Sequence, residues 1–143
     1  MRVKDVMTSG VECARPDDSI AQAARRMREL NIGSLPVCGN EDKLVGIVTD
    51  RDITVRATAE HGAPDSTKVR DCMTEHIIYC FEDQDLSEAA NLMEERQVRR
   101  VAVLNQNKRL VGIVSLGDLA VKGDGHLSEE ALERVSEPAA PAR

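Results

Sequence analysis

Two short motifs in this 143-residue sequence place a hydroxyl and a carboxylate three residues apart. They are Thr49-x-x-Asp52 and Ser115-x-x-Asp118, and each follows a short apolar run. An Asp in the first turn of a helix presents two acceptor oxygens, which can bind the vicinal hydroxyls of a ribose. The preceding hydroxyl would lie beside the helix N-terminus, where free backbone N–H groups favour phosphate or other anions. Residues of these types at this spacing could therefore contact a ligand that carries hydroxyl and anionic groups.

The same spacing also has a purely structural explanation. A Ser or Thr at the N-cap, with an acidic residue three positions later, forms a capping box that starts a helix without any ligand. Ligand binding and helix capping are therefore alternative roles for both motifs.

Three arginines stand where they could neutralise a phosphate. Arg51 lies inside the first motif, and Arg99 and Arg100 precede an apolar run in the second half of the chain. Arginine binds phosphate through charge-assisted hydrogen bonds. Arg99 and Arg100 are equally well explained as a solvated pair on an edge strand.

The other chemically active residues are dispersed. The four cysteines show no C-x-x-C spacing and the three histidines are scattered, so we predict no metal site. Nothing resembles a nucleophile with its base or a P-loop, and we predict no catalytic residues. Cys13 and Cys38 stand at the ends of the first two predicted strands. If those strands are neighbours, the two residues suit a disulfide, although a reducing cytoplasm favours free thiols.

An internal repeat must position these residues. Met7-Thr8 returns as Met73-Thr74, and Leu44–Val48 returns unchanged as Leu110–Val114. Both returns occur at the same offset, since Met7 to Met73 and Gly46 to Gly112 are each separated by 66 positions. Internal self-similarity at a fixed offset indicates two copies of one structural unit.

Each copy predicts the order strand, helix, strand, strand, helix. In the first copy, apolar residues at helical spacing predict a helix over 20–30, with Ser19 as the N-cap and Gly33 soon after its end. Two apolar runs around a polar turn predict an antiparallel hairpin. The remaining predicted elements are a helix from Asp50 to about Ala59, a helix from Leu86, strands at Val101–Leu104 and Leu110–Val114, and a helix from Leu116.

Three features carry a family resemblance: the Met-Thr pairs, the strand Leu35-Pro36-Val37, and the segments Gly46–Asp52 and Gly112–Asp118. On these features, residues 3–122 resemble a tandem pair of CBS (cystathionine-β-synthase-type) domains. The resemblance implies an α/β (α+β) fold of two β-α-β-β-α repeats, packed sheet to sheet with pseudo-two-fold symmetry as a Bateman module. We place the first domain at residues 1–62, the second at 63–123, and a tail with a short helix and a disordered end at 124–143.

The resemblance also implies a ligand. Similar modules hold AMP, ADP, ATP or S-adenosylmethionine in the cleft between the repeats, and the Asp52 and Asp118 positions bind the ribose. By the same resemblance, Val11 and Ile77 are candidates for an aliphatic slot around adenine. The second copy departs from the pattern, because Ala102 replaces Pro36 and Gly117 replaces Arg51. We therefore expect one of the two sites to be degenerate.

Composition limits the partners. A formal net charge of −6, with a single Tyr and a single Phe, argues against a nucleic-acid surface. No apolar run approaches the ~20 residues that span a bilayer, and no secretory signal opens the chain, so we expect no membrane association and a cytoplasmic location. Similar modules pair through exposed helices, which predicts a homodimer.

The sequence thus predicts a non-catalytic regulatory module. It would require no cofactor, bind an adenine nucleotide or S-adenosylmethionine as a regulatory ligand, and act on an unknown protein effector. The alternative is a dimeric interaction protein or redox-responsive protein whose motifs only cap helices.

Overall fold

The computed structural model describes residues 1–60 and 62–122, where helices and strands interleave in a mixed α/β fold. The strands are β1 (Thr8–Ser9), β2 (Ser34–Cys38), β3 (Leu44–Thr49), β4 (Tyr79–Phe81), β5 (Arg100–Leu104) and β6 (Leu110–Ser115). The helices are α1 (Val3–Val6), α2 (Ile20–Leu30), α3 (Asp50–Asp52, continued by a π-helical segment Ile53–Thr58), α4 (Leu86–Arg96) and α5 (Leu116–Lys122). The predicted tail helix and disordered end lie outside the described residues.

Local capping signals set the ends of the long helices. Helix α2 begins after Ser19, whose side chain accepts a hydrogen bond from the Gln22 N–H at 3.2 Å, as predicted. It ends at Leu30, shortly before Gly33, as predicted. The left-handed residue that closes the helix is Asn31, at φ 54°, and Gln97 at φ 53° takes the same position after α4. Asn tolerates this conformation because its short polar side chain can hydrogen-bond locally.

The strands pair as two sheets. β2 and β3 form the predicted antiparallel hairpin, with Ser34 opposite Thr49. The second sheet has the order β1-β6-β5-β4, in which β4 runs parallel to β5. The counterpart of the β4–β5 pairing in the first repeat is a single parallel bridge between Ala14 and Val37.

The compact units of the structure do not coincide with the halves of the sequence. Among the described residues, unit 1 contains 1–11, 78–107 and 111–122, and unit 2 contains 12–77 and 108–110. The opening segment of each repeat thus belongs to the unit built around the other repeat, whereas the sequence placed the boundary between residues 62 and 63.

Buried valines explain why these opening segments, residues 1–11 and 69–77, are exchanged between the repeats. Val3 and Val6 are fully buried in the core of unit 1 with Leu86 and Met93, and Val69 is fully buried in the core of unit 2. Backbone hydrogen bonds extend the attachment. The Leu86 N–H donates to the Met1 carbonyl at 2.9 Å in unit 1. Burying these side chains stabilises each unit by roughly 1.5–3 kcal/mol per valine.

Two glycines allow the exchanged segments to approach the strands. A Cβ on Gly112 would lie 2.7 Å from the Thr8 carbonyl oxygen, and one on Gly46 would lie 3.0 Å from that of Thr74. Each Met-Thr pair therefore crosses a strand at a point where no side chain fits.

Among the described residues, no helix combines the length and the apolar character needed to cross a bilayer.

We expect Gly112→Ala to destabilise the protein by about 1–3 kcal/mol, because the new methyl group would force β1 away from β6. Urea unfolding monitored by circular dichroism measures the change. Gly117→Ala is the matched control, since its Cβ would meet nothing closer than the Ser115 hydroxyl at 3.5 Å. Equal stability of the Gly112→Ala variant and the unmodified protein would contradict the close-approach explanation.

Candidate functional site

The first motif forms a closed capping box at the start of α3. The Asp52 N–H donates to Thr49 Oγ1 at 3.0 Å, and the Thr49 N–H donates to Asp52 Oδ2 at 3.0 Å. The Asp52 side chain is 13% exposed. Its position is therefore held by two reciprocal hydrogen bonds and by partial burial.

The second motif has the same geometry at the start of α5. The Asp118 N–H donates to Ser115 Oγ at 3.1 Å, and the Ser115 N–H donates to Asp118 Oδ2 at 2.9 Å. The capping role predicted for both motifs is confirmed. In each motif the box uses Oδ2, and Oδ1 lies outside it.

Arg56 adds a contact that our sequence prediction missed. Its Nε lies 3.9 Å from Asp52 Oδ1, and its Nη1 donates to the carbonyls of Cys72 at 3.3 Å and Met73 at 3.1 Å. Arg56 thus joins the first motif to the exchanged segment of unit 2. The i,i+4 spacing from Asp52 was the available signal. The residue at the matching position of the second repeat is Lys122.

The π-helical segment Ile53–Thr58 follows the first motif directly. Here the Ala59 N–H donates to the Thr54 carbonyl at 3.2 Å, which is the wider spacing of a π-turn. Such segments are frequent at functional sites. The second motif is followed by the α-helix Leu116–Lys122, so within the described residues the two motifs differ in the helix that follows them.

The predicted arginines are divided between the two units. Arg51 is exposed beside the first motif in unit 2, and Arg99 and Arg100 are exposed in unit 1. The first N–H of α5 donates to the Arg99 carbonyl at 3.0 Å, which places Arg99 next to the second motif. Both side chains are solvated, as our alternative explanation expected, but β5 is not an edge strand, because it lies between β6 and β4.

The aliphatic candidates follow the same division. Val11 is half-buried and belongs to unit 1, and Ile77 is half-buried and belongs to unit 2. The structure therefore groups the predicted residues in two sets. Set A contains Thr49, Arg51, Asp52 and Ile77, and set B contains Val11, Arg99, Arg100, Ser115 and Asp118.

A cavity of about 570 Å³ lies elsewhere in unit 1. It is lined by Phe81, Glu82, Asp83, Gln84, Asp85, Glu88, Leu104 and Gln106. No residue of set B takes part in this lining, and its four acidic side chains oppose phosphate binding. We therefore assign the candidate site to the motifs rather than to this cavity.

All four cysteines are free thiols. Burial is the main cause that raises the pKa of Cys38 to about 12, with a smaller contribution from its hydrogen bond to the Cys13 side chain. Burial likewise raises the pKa of Cys80 to about 11. Within residues 1–60 and 62–122, no three His, Cys, Asp or Glu side chains are grouped as metal ligands would be.

Comparison with known proteins places this geometry in a family. A CBS domain model matches residues 3–57 and again residues 69–122. The chain belongs to the CBS domain family. The predicted tandem CBS pair and mixed α/β fold are thus confirmed.

Individual CBS proteins agree with this assignment. The chain is 40% identical over 129 residues to hypoxic response protein 1 of Mycobacterium tuberculosis, covering 90% of this chain and 87% of that protein. It resembles the crystal structure of Hypoxic Response Protein I with two coordinated zinc ions, at 38% identity and a TM-score of 0.77, over 85% of this chain and 98% of the other.

A CBS domain pair in complex with 5′-methylthioadenosine and S-adenosyl-L-methionine is also similar. The identity is 31% and the TM-score 0.70, over 84% of this chain and 97% of the other. CBS pairs are regulatory modules.

We expect Ser115→Ala to lower the free energy of unfolding by about 0.5–2 kcal/mol, because α5 loses its N-cap hydrogen bond. Chemical denaturation measures the change in the absence of any ligand. Thr54→Ala, at an exposed helical position, is the control and should change stability by less than ~0.5 kcal/mol. A Ser115→Ala variant as stable as this control would show that the capping box contributes nothing.

Proposed function

We propose that the protein is a non-catalytic regulatory CBS pair whose ligand is an adenine nucleotide or S-adenosylmethionine. One observation carries the proposal. Within one unit, each set combines the Asp and the hydroxyl of a capping box with an aliphatic side chain and at least one arginine. These are the groups that a ribose, a phosphate and an adenine ring would need. The similar CBS pair in complex with two adenosine compounds supports the ligand class.

Capping and binding are compatible in this proposal. The capping box uses Oδ2 of each Asp and leaves Oδ1 to accept a ribose hydroxyl. Because the two hydrogen bonds of the capping box already hold the Asp side chain in place, that side chain loses little conformational freedom when the ligand binds. Such preorganisation increases affinity without adding contacts.

The two sites are not equivalent in this proposal. Set A contains Arg51 where the second repeat has Gly117, and set B contains Arg99 where the first repeat has Gly33. Each motif thus keeps one neighbouring arginine, although it comes from a different position. The presence of Arg99 therefore supports anion binding at the second site, although position 117 is a glycine. Arg56 is a further difference, because in set A a ligand hydroxyl would meet an Asp52 oxygen already near a guanidinium.

Asp52→Ala should weaken ligand binding by set A about 10- to 100-fold, because one charge-assisted hydrogen bond to the ribose would be lost. Isothermal titration calorimetry with AMP, ADP, ATP and S-adenosylmethionine measures the affinity. Asp50→Ala is the matched control, since it removes an exposed carboxylate two residues away that lies outside the capping box. Asp118→Ala tests set B in the same way.

Two outcomes would contradict different parts of this proposal. Failure of the unmodified protein to bind any of these ligands at millimolar concentration would refute the sensor function. Binding that survives the combined Asp52→Ala and Asp118→Ala changes would keep the function and refute the site.

We further propose that the protein is a homodimer located in the cytoplasm and acts on a separate protein effector. Val55 and Val121 are 51% and 82% exposed on the helical segments that follow the two motifs. Leu119, on the same helix as Val121, is fully buried in the core of unit 1 and cannot take part in such a contact. A second copy covering Val55 or Val121 would remove apolar area from water.

Multi-angle light scattering at micromolar concentration should therefore give the mass of a dimer. Val55→Glu should shift the mass toward the monomer, because it would place a charge in the apolar contact. Val45→Glu, at a 36% exposed position on β3, is the control and should leave the mass unchanged. A monomer mass for the unmodified protein would contradict the dimer.

A further inference from the structure

Cys13 and Cys38 are brought together by backbone hydrogen bonds in unit 2. The Ala14 N–H donates to the Pro36 carbonyl at 2.8 Å, and the Cys38 N–H donates to the Ala14 carbonyl at 2.9 Å. These two bonds form the parallel bridge between Ala14 and Val37. Because side chains alternate along paired segments, Cys13 and Cys38 lie on the same side of the bridge. They are diagonal neighbours across the bridge, and the proximity of Cys13 contributes to the raised pKa of the Cys38 thiol.

Two arginines hold the backbone of both cysteines. The Arg26 guanidinium donates to the Cys13 carbonyl. The Arg15 guanidinium donates to the Cys38 carbonyl at 3.2 Å and the Gly39 carbonyl at 2.8 Å, and is itself paired with Asp42 at 2.7 Å. The two segments that carry the cysteines are therefore held in place by arginine side-chain hydrogen bonds as well as by the backbone bridge.

The two thiols differ in access to solvent. Cys13 is half-buried, whereas Cys38 is fully buried. A small molecule in solution can therefore reach Cys13 while Cys38 stays behind it. The other two cysteines occupy separate positions, with Cys80 in the core of unit 1 and Cys72 in a smaller cluster with Ile20 and Ala57.

We propose that Cys13 and Cys38 form a redox-active dithiol that closes to an intramolecular disulfide by exchange with a small-molecule disulfide, with Cys13 reacting first. The Cys13 thiolate attacks one sulfur of the small disulfide, forms a mixed disulfide and releases one thiolate. Cys38 then loses its proton and attacks the Cys13 sulfur, which releases the second thiolate. The cysteines are oxidised by two electrons, and the small disulfide is reduced to two thiols.

The position of Cys13 determines what this bond would do. Cys13 lies two residues after Val11, where the chain leaves the exchanged segment of unit 1 and begins unit 2. A disulfide would tie this connection to β2, and β2 pairs with the strand that leads into Thr49. It would also close a loop around α2. Oxidation would therefore stabilise unit 2 and restrain the connection between the exchanged segment and the first motif.

The test uses the full chain, without nucleotide, equilibrated with oxidised glutathione or with a thiol reductant. Intact mass spectrometry should show the loss of two hydrogens on oxidation, and peptide mapping after alkylation of the remaining thiols should identify a Cys13–Cys38 cross-link. The midpoint of thermal unfolding should rise by about 5–15 °C, because the bond removes freedom from the unfolded chain.

Cys13→Ser should abolish both the cross-link and the rise, and its half-buried position makes it the safer variant for folding. Cys72→Ala is the matched control and should retain the cross-link and the rise. A lasting glutathione adduct on Cys13 without a cross-link would overturn the proposal. So would a cross-link between two molecules, or no oxidation at all. Because no nucleotide is present, these outcomes are independent of the proposed sensor function.

Discussion

The approach of the two Met-Thr segments to Gly46 and Gly112 is the constraint on which the rest of the structure depends. The carbonyl of Thr8 or Thr74 lies so close to the strand that no Cβ fits between them. Each segment thereby reaches the sheet of the other repeat and brings buried valines into its core. Because β3 and β6 continue from these glycines into Thr49 and Ser115, the same approach fixes the strands that present the two motifs.

In our proposal, the Asp carboxylate of each motif both stabilises a helix and binds the ligand. Each Asp accepts from the backbone with Oδ2 and starts a helix, which explains the hydroxyl and carboxylate spacing without a ligand. The same hydrogen bonds orient Oδ1, which is the oxygen that our proposed ribose contact needs. Capping and binding are therefore not competing explanations of these residues, as they were when only the spacing was known.

The two repeats have diverged around this shared geometry. Arginine stands within the first motif at position 51 and beside the second motif at position 99, so the arginine that we propose binds an anion comes from a different position in each repeat. Arg56 contacts Asp52 and the Met73 carbonyl, and a π-helical segment replaces a regular helix after the first motif. The Cys13 and Cys38 contact also belongs to the first repeat alone, since Tyr79 and Leu104 stand at the matching positions.

The sequence by itself determined the repeat, the order of its elements and the capped helices, because apolar spacing and N-cap residues such as Ser19 act over one or two turns. It also indicated the two motifs and, through the resemblance of the segments that contain them, the CBS family. Only the tertiary structure decided that residues 1–11 belong with the second repeat, that Arg99 lies beside Ser115, and that Arg56 holds the Met73 carbonyl. These contacts join residues distant in the chain, and no local pattern encodes them, just as none encodes the burial of Val3, Val6 and Val69 in the two cores.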